Sequence, residues 1–80
     1  MIGRAVDQCE FVLAHRTVSR RHACLTIVED ALHVEDLGST NGTSVNGMLA
    51  CVGVPVPIHP GTRLKIGDIE FSVRLVAPQA

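Results

Sequence analysis

The chain has 80 residues, 46% of them hydrophobic but only Phe11 and Phe71 aromatic, and a formal net charge of −1. A chain this short makes one domain and buries roughly 60 to 70% of its unfolded surface, so a single modest core of Val, Leu, Ile and Ala is expected. Near-neutral charge argues against a general nucleic-acid binder, whose affinity scales with its Lys and Arg contacts. No apolar run approaches the roughly 18 residues of a membrane helix, so a soluble, cytoplasmic protein is expected.

In chain order, the first strand-like run is 10–14, followed by 23–28 and 32–36. The pair Asn46-Gly47 lies between Ser44-Val45 and Met48-Leu49; such a pair suits a tight type I′ hairpin, whose two central positions both need positive φ. Residues 52–60 carry Pro55, Pro57 and Pro60 and read as a surface connection rather than a central strand. A further strand is expected over 63–66. Beyond it, Ile69, Phe71, Val73 and Leu75 alternate with Glu70, Ser72 and Arg74, the period-2 pattern of a half-buried strand. Turn signals separate the runs at Glu29-Asp30, 38–42, Pro60-Gly61 and Gly67-Asp68. Many short strands with frequent turns and no amphipathic helix predict an all-β sandwich or barrel.

Cys9, Cys24 and Cys51 are odd in number and lack CxxC spacing, and no signal-peptide pattern precedes them. They are expected to be reduced and mostly buried rather than disulfide-bonded or metal-bound. His15, His33 and His59 form no ligand set with them, so no metal or cofactor is expected.

Three segments hold polar residues that a sandwich does not itself require: Gly3-Arg4, Ser19-Arg20-Arg21-His22 and residues 38–43, Gly-Ser-Thr-Asn-Gly-Thr. All three are predicted on loops, and loops at one end of a sandwich can converge although distant in sequence. Together Arg4 and Arg20 offer guanidinium forks, Ser19 and Thr40 hydroxyl donors, and Asn41 an amide that donates and accepts. The set is rich in donors and contains no carboxylate. It suits a phosphate monoester, with its charge of about −1.5 to −2 and several strong acceptor oxygens.

These segments, in this order and spacing and followed by a late GTRLKIGDIEF, resemble a forkhead-associated (FHA) domain from Gly3 to about Val73. The combination of Ser-x-x-His with Gly-Ser-Thr-Asn-Gly-Thr is specific, whereas either piece alone is weak. The resemblance implies an FHA-type β-sandwich of two mainly antiparallel sheets and a loop face that binds a threonine-phosphorylated protein or peptide. Carried over residue by residue, it implies that Arg4, Ser19 and Thr40 contact the phosphate and that Arg20 adds a phosphate or peptide contact. Asn41 is then expected to hydrogen-bond the peptide backbone. Gly3, His22 and Gly42 are expected to support the site, and Arg21 to point away from it.

Members of the family usually carry one or two strands before the Gly-Arg pair, whereas only Met1 and Ile2 precede it here. The resemblance therefore implies a single, N-terminally short FHA-like domain over 1–80, lacking the usual first strand or strands. The strand 69–76 is then left as a bare sheet edge, and a homodimer through that edge is expected.

Each segment also has a plainer reading. Arg4 alone is a solvated terminal charge, Ser19 a cap, and Thr40-Asn41-Gly42 an ordinary turn. An enzyme built on Ser19, His22 and Asp36 is disfavoured, because the chain holds neither a nucleophile elbow nor the Gly-Lys-Ser/Thr ending of a P-loop. The alternative function is an FHA-like protein-interaction scaffold that does not require phosphate.

Overall fold

A computed structural model of the chain describes residues 1–74. Among these residues it has nine strands and no helix: β1 Ile2–Gly3, β2 Phe11–Val12, β3 Ala23–Val28, β4 Ala31–Asp36, β5 Thr43–Val45, β6 Met48–Leu49, β7 Val56–Pro57, β8 Arg63–Ile66 and β9 Ile69–Ser72. They form a five-stranded sheet ordered β2-β1-β3-β4-β7 and a four-stranded sheet ordered β6-β5-β8-β9. Every pairing is antiparallel except β1 with β2. The expected two-sheet sandwich is therefore the fold.

Short turns set the registers. Val28 pairs with Ala31 across Glu29 and Asp30, whose φ values are 51° and 66°, and Val45 pairs with Met48 across Asn46 at 51° and Gly47 at 84°. Positive φ at both central positions matches the right-handed twist of the flanking strands. Alternation then places the core between the sheets, where Ile2, Val18, Ala23, Val34, Ile58, Leu64 and Ile66 are buried. In β9 and just past it, Ile69, Phe71 and Val73 are half-buried while Glu70, Ser72 and Arg74 face water.

Four expectations change. The strand over 10–14 contracts to two exposed residues that pair in parallel with β1, a strand the sequence did not signal. Residues 52–60 contain the edge strand β7, which pairs His33 with Pro57 and Val34 with Val56. Proline is tolerated there because its missing N–H can face away from the sheet. Gly3 lies in β1 and Thr43 in β5 rather than on loops. No cysteine is fully buried: Cys9 and Cys24 are intermediate and Cys51 is exposed, though all three are free. Cys51 follows β6 on the connection toward β7, where no second layer covers it.

Among the described residues, β9 has β8 on one side and no strand on the other. Leu75 and Val76, the end of the expected edge strand, lie outside the described residues.

Candidate functional site

The segment after β1 and the segment before β3 are joined by backbone hydrogen bonds. Arg4 N–H donates to the Ser19 carbonyl at 3.0 Å, Ala5 N–H to that of Arg20 at 3.1 Å, and His22 N–H to that of Ile2 at 2.9 Å. Such close approach requires glycine at position 3, since a Cβ there would overlap the Arg20 carbonyl oxygen and come within 2.9 Å of Cys9 Sγ. Arg4, although near the terminus, is thus anchored through its backbone. Its Nε also donates to the Val18 carbonyl at 3.1 Å, which orients the exposed guanidinium.

His22 links this unit to the loop between β4 and β5. Its side chain is fully buried. Nδ1 accepts from Ser19 N–H at 2.9 Å, and Nε2 lies 2.8 Å from the Gly42 carbonyl oxygen. A backbone N–H on Nδ1 assigns the proton to Nε2, so the imidazole is neutral and donates to Gly42. Gly42 itself has φ of 87°, a left-handed conformation that suits glycine. Two further bonds join the same segments: Thr40 N–H donates to Ser19 Oγ at 3.0 Å, and Asn41 Nδ2 to the Thr17 carbonyl at 2.9 Å.

The loop 37–42 is held from below by Asp36, a residue that sequence reasoning placed only in the disfavoured catalytic set. The carboxylate is 2% exposed. Oδ2 accepts from Gly38 N–H and Ser39 N–H, both at 3.0 Å, and Oδ1 accepts from the Ser39 hydroxyl at 2.5 Å and the Thr43 hydroxyl at 2.7 Å. Burial, the largest single influence, pushes the Asp36 carboxyl up. The Ser39 and Thr43 hydroxyls, with the backbone N–H groups of Ser39 and Gly38, together outweigh it and hold the group below the ordinary carboxylate range. Ser39 Oγ in turn accepts from Gly42 N–H at 3.0 Å, which closes the loop. The spacing Asp-x-Gly-Ser was the available signal, because Asp side chains commonly bond backbone N–H groups two and three residues on.

Thus Arg4, Ser19, Arg20, Thr40 and Asn41 all lie on segments that hydrogen bonds tie into one unit, and Gly3, His22 and Gly42 take part in those ties. Arg4, Arg20, Thr40 and Asn41 are exposed and Ser19 is half-buried. Among the described residues neither Arg4 nor Arg20 has a carboxylate within salt-bridge distance. Arg21 Nε instead donates weakly to Met1 Sδ at 3.4 Å. Ser19, His22 and Asp36 do not form a nucleophile, base and orienter: the imidazole is bonded to the Ser19 backbone rather than its hydroxyl, and Nε2 stands 4.0 Å from Asp36. Among the described residues no group of His, Cys, Asp and Glu could hold a metal ion, and no helix is long and apolar enough to cross a membrane.

Residues 1–67 match the FHA domain family. The FHA domain-containing protein FhaB of Mycobacterium tuberculosis is 42% identical over 74 residues, covering 92% of this chain and 46% of that protein. The chain therefore spans less than half the length of that relative. A structure from a structural and functional analysis of phosphothreonine-dependent FHA domain interactions superimposes with a TM-score of 0.84 at 31% identity, over 98% of this chain and 77% of the other. Mycobacterium tuberculosis EmbR, solved in complex with a low affinity phosphopeptide, gives a TM-score of 0.84 at 30% identity, over 99% of this chain and 20% of EmbR. With the two-sheet fold and three joined segments already in place, these matches make the chain a member of the FHA domain family.

Proposed function

We propose that this chain is a phosphothreonine-binding module that docks a partner protein through the surface formed by Arg4, Ser19, Arg20, Thr40 and Asn41. The observation that carries the reading is that two guanidinium groups, without carboxylate partners among the described residues, and two hydroxyls are collected on one unit. A phosphate dianion is the ligand such donors satisfy best. Arg4, Ser19 and Thr40 bind the phosphate, Arg20 adds a phosphate or flanking contact, and Asn41, oriented by one Nδ2 hydrogen bonded to the Thr17 carbonyl, offers its carbonyl oxygen to a peptide N–H. Ser19 Oγ accepts from Thr40 N–H and keeps its own hydrogen for the ligand. The neighbouring structures described with phosphothreonine-dependent interactions and with a phosphopeptide support the same ligand class.

The chemistry is binding without turnover, in keeping with a family of binding modules. A role in signalling or assembly follows from a ligand that exists only after a partner has been phosphorylated. Threonine is preferred over serine if its methyl fills an apolar recess, a difference of about 1 to 3 kcal/mol. Calorimetric titration of matched peptides carrying phosphothreonine, phosphoserine and unmodified threonine tests the reading. Strong binding of the first alone is expected, and Arg4→Ala should weaken it by about ten- to a hundredfold through loss of charge-assisted hydrogen bonds, while Arg21→Ala leaves it unchanged. Equal affinity for phosphorylated and unmodified peptides would favour the phosphate-independent scaffold and overturn the proposal.

A further inference from the structure

From Leu37 to Thr62 the chain carries no Asp, Glu, Lys or Arg, although much of this stretch is exposed. The cores of interfaces are depleted of charge in this way, and exposed apolar side chains gathered together mark them. Here Met48 is 76% exposed, Leu49 70%, Val52 63% and Val54 51%. A groove of about 390 Å³ lies between β6 and the connection to β7, floored by Val45 and Val56 and walled by Met48, Leu49, Cys51 and Val54. Val45 and Val56 also pack on the buried core, so the floor is continuous with the interior.

This surface adjoins the loop that carries Thr40 and Asn41. Ala50 N–H donates to the Thr43 carbonyl at 2.8 Å and Gly53 N–H to the Asp36 carbonyl at 3.0 Å, while Val52 forms a parallel bridge with Asp36. Both ends of the loop 38–42 meet the patch directly. A Cβ at Gly42 would come within 2.6 Å of Leu49 Cδ1, and one at Gly38 would lie 4.0 Å from Val52 Cγ1. Strand addition does not account for the patch, because β6 has two residues and Pro55 and Pro57 bring no N–H to the edge at β7. What the groove offers is side-chain contact.

We propose that this groove is a second contact for the partner held at the loop, and that it takes an apolar stretch of the same polypeptide, rich in Leu, Ile, Val or Met, near the phosphothreonine. The occupant is assigned on the phosphothreonine reading of the adjacent loop: a polypeptide anchored there by its phosphate presents its flanks to the groove at high effective concentration. Met48, flexible and polarizable, adapts to apolar groups of different shape. Charged flanks are rejected, because a Lys or Glu desolvated among the groove residues finds no counter-ion. The phosphate thus acts as the switch, and the groove supplies part of the choice among phosphorylated partners.

The test is fluorescence anisotropy with phosphothreonine peptides on a Gly-Ser background, in which a Leu-Val-Leu triplet is moved outward from the phosphothreonine in both directions. At one window of positions the triplet should tighten binding by about tenfold over the plain Gly-Ser phosphopeptide. Met48→Ser and Val54→Ser should each remove most of that gain and leave affinity for the plain phosphopeptide unchanged; circular dichroism establishes that each variant is folded. A plain phosphopeptide that binds but gains nothing from the triplet at any position overturns the groove and leaves phosphothreonine binding standing. So does a gain that both variants retain. Absence of binding by every phosphopeptide overturns both readings. A triplet peptide that binds equally well without its phosphate would make the groove an independent site, and a dimer in sedimentation equilibrium that Met48→Ser dissociates would make a second copy the occupant. Either result overturns the assignment to a shared partner.

Discussion

Replacing Asp36 with alanine removes the acceptor for four donors at once: the N–H groups of Gly38 and Ser39 and the hydroxyls of Ser39 and Thr43. The four losses are unequal. Thr43 is fully buried, so its hydroxyl cannot turn to water and costs about 1 to 3 kcal/mol when left without a partner. Gly38 is exposed and Ser39 half-buried, so their groups recover part of the loss by hydration. The expected destabilisation is about 3 to 5 kcal/mol, with hydrogen bonds to a charged acceptor at the upper end of the usual scale. That is a large part of the stability of a domain this size, on the order of 4 to 12 kcal/mol. Chemical denaturation monitored by circular dichroism gives the number, and a change below about 1 kcal/mol would refute the account of Asp36 as the support of the loop.

The same residue fixes a pH dependence. Its native carboxyl titrates below its unfolded value, so it contributes stability that is complete above the ordinary carboxylate range, near 3.9, and is lost as pH falls through the depressed native value. Asp36→Asn keeps one acceptor oxygen but cannot ionise. Its deficit relative to the native chain should therefore be largest near neutral pH and shrink on acidification; a deficit that stays constant into strong acid would contradict the assignment.

Asp30 occupies a left-handed conformation in the β3–β4 turn, so Asp30→Gly should raise stability by about 0.5 to 1 kcal/mol, and a lower melting temperature would count against it. Gly3→Ala places a methyl against the Arg20 carbonyl. It should cost about 1 to 3 kcal/mol and weaken phosphopeptide binding beyond that, because Arg4 and Arg20 move with the strained backbone; native-like affinity in calorimetry would show the approach to be loose. Cys51 is the exposed thiol of the three, so a thiol-reactive chromophore should modify it well before Cys9 or Cys24, a ranking that peptide mapping verifies.

Long elements were legible in the sequence, short ones were not. Strand β9 announces itself through alternation, strands β3 and β8 less cleanly, and the Asn46-Gly47 hairpin through its turn chemistry. Strands β1 and β7 have two residues each, too few for any period to register, and they exist because β3 and β4 offer edges to pair with. Phe11 misleads in the other direction: an aromatic residue suggests burial, yet it stands at the rim of an open cleft. The cysteines mislead for a similar reason, since their usual burial says nothing about a connection with no layer above it. At the site, the residues proposed to face a ligand were legible because their types were out of place for a sandwich. Asp36 was not, since an acidic residue at the end of a strand looks like ordinary surface until its four donors are seen.

The burial of His22 between Ser19 and Gly42 has a consequence for how ligands are told apart. A rigid imidazole strut means that the loops reach their working shape before any peptide arrives, and the ordering entropy of binding falls on the peptide alone. Encounter then needs no rearrangement of this chain, so association rates should differ little from one phosphorylated partner to the next. Discrimination among them should lie in residence time: a well-matched peptide is the one that leaves slowly.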